Sequence, residues 1–156
     1  DCGIALVYTP SIAKAPIYGA TRWINNGRLP LIQITDRRKD YNAFWFTFYH
    51  ELAHILYDGR KDIFIDGLDS IQPDPEKEER ADSFASRMLL SQKERTILSK
   101  YDSFDEQLIL QLSKKFQKHP AIIIAQLQRE VDAKIKYNDA RLNKLKVKVQ
   151  FDQIAL

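Results

Sequence analysis

The period of the apolar residues changes along the chain, and the first stretch reads as strands. Ile4 to Thr9 is a short β-branched run closed by Pro10, Ile17 to Ile24 alternates loosely around Tyr18 and Trp23, and Leu31 to Thr35 alternates again. Asn25-Asn26-Gly27 supplies a turn signal between the last two, and Pro30 marks the third as an edge strand. Residues 1–36 therefore predict a small antiparallel sheet. From Asp40 the texture becomes helical. Tyr41 to Tyr57 lies between an N-cap candidate, Asp40, and a stop signal, Asp58-Gly59. Its length argues for a helix. Phe44, Trp45, Phe46, Phe48 and Tyr49 fall on nearly every side, which predicts a helix buried all round.

Lys61 to Gly67 reads as a short strand and turn, and Asp69 to Pro75 as a polar loop. Asp74 then caps a helix that starts at Pro75 and runs to about Leu90. Ser91-Gln92-Lys93-Glu94 and Ser103-Phe104-Asp105-Glu106 both have the capping-box spacing and open two further helices. The second should stop near Lys118, because the residue before Pro120 disfavours helical backbone; Pro120 starts another helix, to about Lys134. Leu145 to Phe151 alternates with Lys146, Lys148 and Gln150 and predicts a solvent-faced strand. The fold class is α+β: a small N-terminal sheet beside a buried helix, followed by a helical bundle. One domain is expected over 1–156, with the sheet in 1–36, the two principal helices in 40–90 and a helical part ending in a strand in 91–156.

The composition is that of a folded globular chain, 44% hydrophobic and 29% charged over 156 residues. Lys and Arg number 24 against 21 Asp and Glu, and a net charge of +3 does not by itself argue for nucleic-acid binding. The single cysteine, Cys2, excludes an internal disulfide framework and a multi-cysteine zinc site, which fits a reducing compartment. No apolar run is long enough for a membrane span and no secretory signal is visible, so a cytoplasmic protein is expected. The chain opens on Asp1 and its only methionine is Met88, which predicts the C-terminal part of a longer protein.

His50-Glu51-Leu52-Ala53-His54 is the sharpest chemical feature. Histidines at i and i+4 share one helix face and can hold one zinc ion, and the intervening Glu51 suits a general base acting on water. A catalytic zinc site needs a third protein ligand. His119 is the only other histidine, and the acids of the Pro75 helix are better candidates. There Glu78, Ala81, Asp82, Ala85, Met88 and Leu89 fall on one apolar stripe, and Glu79 and Arg80 on the polar side. Buried carboxylates require a partner. Glu78 is therefore the expected third ligand, and Asp82 the expected acceptor of a hydrogen bond from a ligand histidine. His119 either contacts a substrate oxyanion or caps the Pro120 helix. Phe104–Gln117 followed by Pro120–Glu130 has a helix-turn-helix outline, but Ala121-Ile122-Ile123-Ile124 suits a core, so no direct DNA binding is expected.

The chain resembles the ImmA/IrrE family of metallopeptidases. The likeness runs through Phe46 to Leu56, then through Glu78 to Leu90 with Asp82, Phe84-Ala85 and the paired leucines, and on through His119 to Ile124 with Leu127-Gln128. Ser91 stands where the family often has proline. The resemblance implies a thermolysin-like, gluzincin-type core with zinc on His50, His54 and Glu78 and Glu51 as base. It also implies a cytoplasmic protein coupled to a helix-turn-helix repressor or a toxin partner. The expected function is a zinc-dependent endopeptidase of a regulatory system that cleaves such a partner, with the substrate added to a sheet edge. The alternative is a non-catalytic regulatory domain of an antitoxin or repressor, its metal structural or vestigial.

Overall fold

The computed structural model describes residues 3–11, 14, 17–59, 64–65, 74–129, 135–136 and 139–149. Four strands form one sheet: β1 (Ala5–Thr9), β2 (Gly19–Ile24), β3 (Leu29–Thr35) and β4 (Phe64–Ile65), in the order β1-β3-β2-β4. β2 and β3 make a hairpin in which Gly19 faces Ile34 and Ile24 faces Leu29. Asn25, Asn26 and Gly27 turn the chain at φ of 53°, 56° and 78°, a region that Asn and Gly tolerate best.

The sheet is mixed, which corrects the antiparallel expectation. β2 is antiparallel to β3 and β4, whereas β1 runs parallel to β3 from Ala5↔Leu31 to Thr9↔Thr35. Alternation reports which faces of a strand are buried and carries no direction. β3 is also interior, not an edge. Pro30 is tolerated there because the β1 ladder begins one residue later, at Leu31.

α1 (Tyr41–Tyr57) and α2 (Pro75–Leu89) follow the expected bounds closely. Asp74 caps α2 by accepting from the Glu76 N–H at 3.1 Å. The aromatics of α1 are half-buried, against the expectation of burial all round. They pack on one another instead: Trp45 lies edge-on to Phe44 and Phe48, at centroid distances of 5.4 and 5.7 Å. The buried side chains of α1 are Asn42, His50, Glu51, Ala53 and His54. On α2, Ala81, Ala85 and Leu89 are buried, while Asp82 and Met88 are exposed. These two stand at opposite margins of the predicted stripe, where burial gives out first.

The remaining helices are α3 (Gln92–Leu98), α4 (Glu106–Phe116), α5 (Pro120–Arg129) and α6 (Ala140–Asn143). Ser91 and Glu94 form the expected capping box of α3. The cap of α4 is Asp105, not Ser103; its carboxylate accepts from the Leu108 N–H at 2.8 Å. Gln117 ends α4 in a left-handed conformation, φ 54°. α6 is too short for periodicity to reveal. In the predicted strand from Leu145, the described residues form an isolated bridge, Asp40↔Lys148, and Phe151 lies outside them. The loop over 69–73, the continuation of α5 beyond Arg129, and Cys2 also lie outside the described residues.

The chain divides into two compact units, one of residues 1–38 and 43–88, the other of 39–42 and 89–156. The second has an apolar core around Leu98, Ile109, Ile123, Ile124 and Leu127. Ala121 to Ile124 are all buried, as their composition suggests. Among the described residues, no helix is long and apolar enough to cross a membrane.

Candidate metal centre

The first unit places His50 and His54 on successive turns of α1, with Glu51 next to His50. The helix presents both imidazoles on one face because their spacing of four is close to one turn. α2 brings Glu78 to the same point. One ligand atom from each of His50, His54 and Glu78 lies within 4.8 Å of the others, so the three could hold a metal ion. The two Nε2 atoms are 3.1 Å apart; Glu78 Oε2 is 3.2 Å from His50 Nε2, and Oε1 is 3.6 Å from His54 Nε2. Glu79 is exposed and outside this group.

The hydrogen bonds behind the histidines decide their tautomers. His50 Nδ1 is 2.9 Å from Asp82 Oδ1, and His54 Nδ1 is 2.7 Å from Asp58 Oδ2. An ionised carboxylate only accepts, so each Nδ1 carries its proton and each Nε2 turns a lone pair inward. Two lone pairs and a carboxylate at these distances repel one another unless a cation lies among them. Two imidazole nitrogens and a carboxylate oxygen are a donor set that suits zinc and related divalent ions.

Protons alone meet the demand in part. Burial disfavours charge on His50, but hydrogen bonds to Asp82 and Glu78 and the charges of Glu51 and Glu78 overcome it, raising its pKa from 6.5 to about 10. On His54 burial prevails over the hydrogen bond to Asp58, helped by the neighbouring charge on His50, and its pKa is lowered. The cluster thus draws one positive charge where a divalent metal would supply two.

Glu51 is 1% exposed. The Thr21 hydroxyl, on β2, donates to Glu51 Oε2 at 2.6 Å and holds the carboxylate in one orientation. Two residues earlier in β2, Gly19 lets the strand approach α1. A Cβ there would lie 2.6 Å from Glu51 Oε1 and from the Thr47 methyl.

Three residues of this arrangement were missed in the sequence. Asp58 carries a helix-stop signal in the sequence, although its spacing of four from His54 repeats that of the two histidines. Thr21 and Gly19 carry no such signal, since a strand thirty residues away gives no pattern that points at Glu51. His119 is not one of the three converging residues. Its Nδ1 accepts from the Ala121 N–H at 3.1 Å, the capping arrangement, and its ring lies 4.6 Å from that of Tyr41. Burial pushes His119 toward the neutral form.

Residues 3–126 match the family model of the IrrE N-terminal-like domain, Peptidase M78. No curated protein matches the chain.

Proposed function

Because the chain belongs to the IrrE N-terminal-like family of peptidases, we propose that it is a zinc-dependent endopeptidase of a cytoplasmic regulatory system. The observation that carries this reading is the convergence of His50, His54 and Glu78 with Glu51 on the intervening turn. His50, His54 and Glu78 are the zinc ligands. The ion, when bound, supplies Lewis acidity to a water and to the scissile carbonyl. Glu51 takes a proton from the attacking water and hands it to the leaving amine. Thr21 holds the Glu51 carboxylate in one orientation by donating to Oε2. Asp82 and Asp58 hold the ligand imidazoles in the tautomer that donates through Nε2. The substrate is a helix-turn-helix repressor or a toxin partner, a choice supported by the family likeness and by no contact within this chain.

One observation favours a second reading. Glu51 is almost wholly buried, which suits a non-catalytic regulatory domain whose metal only staples the fold. A single comparison separates the two readings. Zinc-loaded wild type should cleave a candidate partner and Glu51→Gln should not, with equal zinc content in both. A zinc-loaded wild type that cleaves no partner leaves the structural reading standing.

A further inference from the structure

We infer that Asp58 is a positioning residue for His54, clamped by Arg80, and that it governs metal affinity more strongly than Asp82 does through His50. The inference rests on the metal-site reading above. The two carboxylates touch their histidines at similar distances, 2.7 and 2.9 Å, but in different surroundings. The Asp58 side chain is 2% exposed against an imidazole that is 1% exposed, whereas the Asp82 side chain is 63% exposed. Water competes for Asp82 and screens it; nothing comparable weakens a charge-assisted hydrogen bond in a dry setting.

A buried carboxylate needs a counter-charge, and the Arg80 guanidinium supplies it at Asp58 Oδ1. Arg80 stands two residues beyond Glu78 on α2, with its guanidinium 6.0 Å from the centre of the Tyr57 ring. Guanidinium, carboxylate and imidazole therefore form one chain that ends at the lone pair of His54 Nε2. Asp58 is tied into the same turn through its backbone as well, its N–H donating to the His54 carbonyl at 3.0 Å. Rotation of the His54 ring would have to break a contact that both helices hold. The sequence puts Arg80 on the polar side of α2, and the structure keeps it there, 42% exposed, while its guanidinium reaches Asp58 Oδ1.

The test is zinc affinity of the full chain, measured by competition with a chromophoric chelator. Asp58→Asn should weaken zinc binding by about 10–100-fold, and Asp82→Asn by less. Arg80→Gln, which removes the clamp and leaves the carboxylate, should weaken it several-fold, with Arg80→Lys partly restoring it. In the zinc-loaded protein the Nδ1–H proton resonance of His54 should move upfield in Asp58→Asn, a change that a merely structural role would not produce. Melting curves in chelator verify that each variant folds; if Asp58→Asn does not, the Arg80 pair decides. Wild-type affinity in both Asp58→Asn and Arg80→Gln, or a larger loss in Asp82→Asn, overturns the inference while leaving the metal reading intact. A wild-type chain that takes up no zinc overturns the metal reading itself.

Discussion

Leu98, Ile109, Ile123, Ile124 and Leu127 fill the interior of the second unit, whereas α1 of the first unit buries His50, Glu51 and His54, with Asp58 closing its end. The apolar interior is held by contact area, which is non-directional and forgiving of exchanges that conserve volume. The polar one is held atom by atom, and each buried group keeps its place through a named partner: Thr21 for Glu51, Asp82 for His50, Asp58 for His54, Arg80 for Asp58. Deleting one partner strands the other, at a cost set by desolvation more than by the bond itself. Truncations should therefore lower stability alone in the second unit, and both stability and function in the first.

Glu51→Gln carries the largest expected effect. It preserves shape and still accepts from Thr21, but it cannot take a proton. Peptide cleavage should fall by about 10²–10⁴-fold with zinc content and melting temperature held, as seen in kcat/KM beside metal analysis. Ile123→Ala makes the opposite case. It should cost about 2–5 kcal/mol in a denaturant titration, and the folded variant should keep wild-type zinc affinity.

Proton competition gives the third expectation. The pKa of His50 is raised to about 10, so zinc uptake at neutral pH must expel that proton. Apparent affinity should rise about tenfold per pH unit up to about pH 10 and then level off, with roughly one proton released per zinc, measurable by calorimetry in buffers of different ionisation enthalpy. The zinc-free chain should show the linked change in stability. The folded pKa lies above the unfolded one, so the contribution of His50 is complete below about pH 6.5 and is lost as pH rises toward 10. Ser91→Ala is the smallest: removal of the α3 cap should cost about 1 kcal/mol in thermal melts without touching zinc.

What could be read from the chain beforehand follows the same division. Periodicity within one helix places His50 and His54 on a shared face with Glu51 beside them, and helical phase separates Glu78 from Glu79, because both relations are local. The same rule extended by four residues points at Asp58, yet Asp-Gly is also a helix-stop signal, and the pattern alone does not separate the two roles. Thr21 and Gly19 are illegible because the approach of β2 to α1 is a long-range property. Strand direction is another, hence the parallel β1. The aromatics of α1 misled because their residue type promises burial, while the buried places on that helix go to polar groups with partners.

The N–H of Asp58 closes the last turn of α1 on the carbonyl of His54, so the residue that steadies the ligand ring also terminates the ligand helix. Helix ends ordinarily fray, opening and closing far more often than the whole molecule unfolds. Here each such opening would also loosen the carboxylate that orients the His54 ring. Amide exchange at Asp58 should therefore slow when the centre is occupied and quicken when it is empty, so that the last turn of the helix reports on the site it supports.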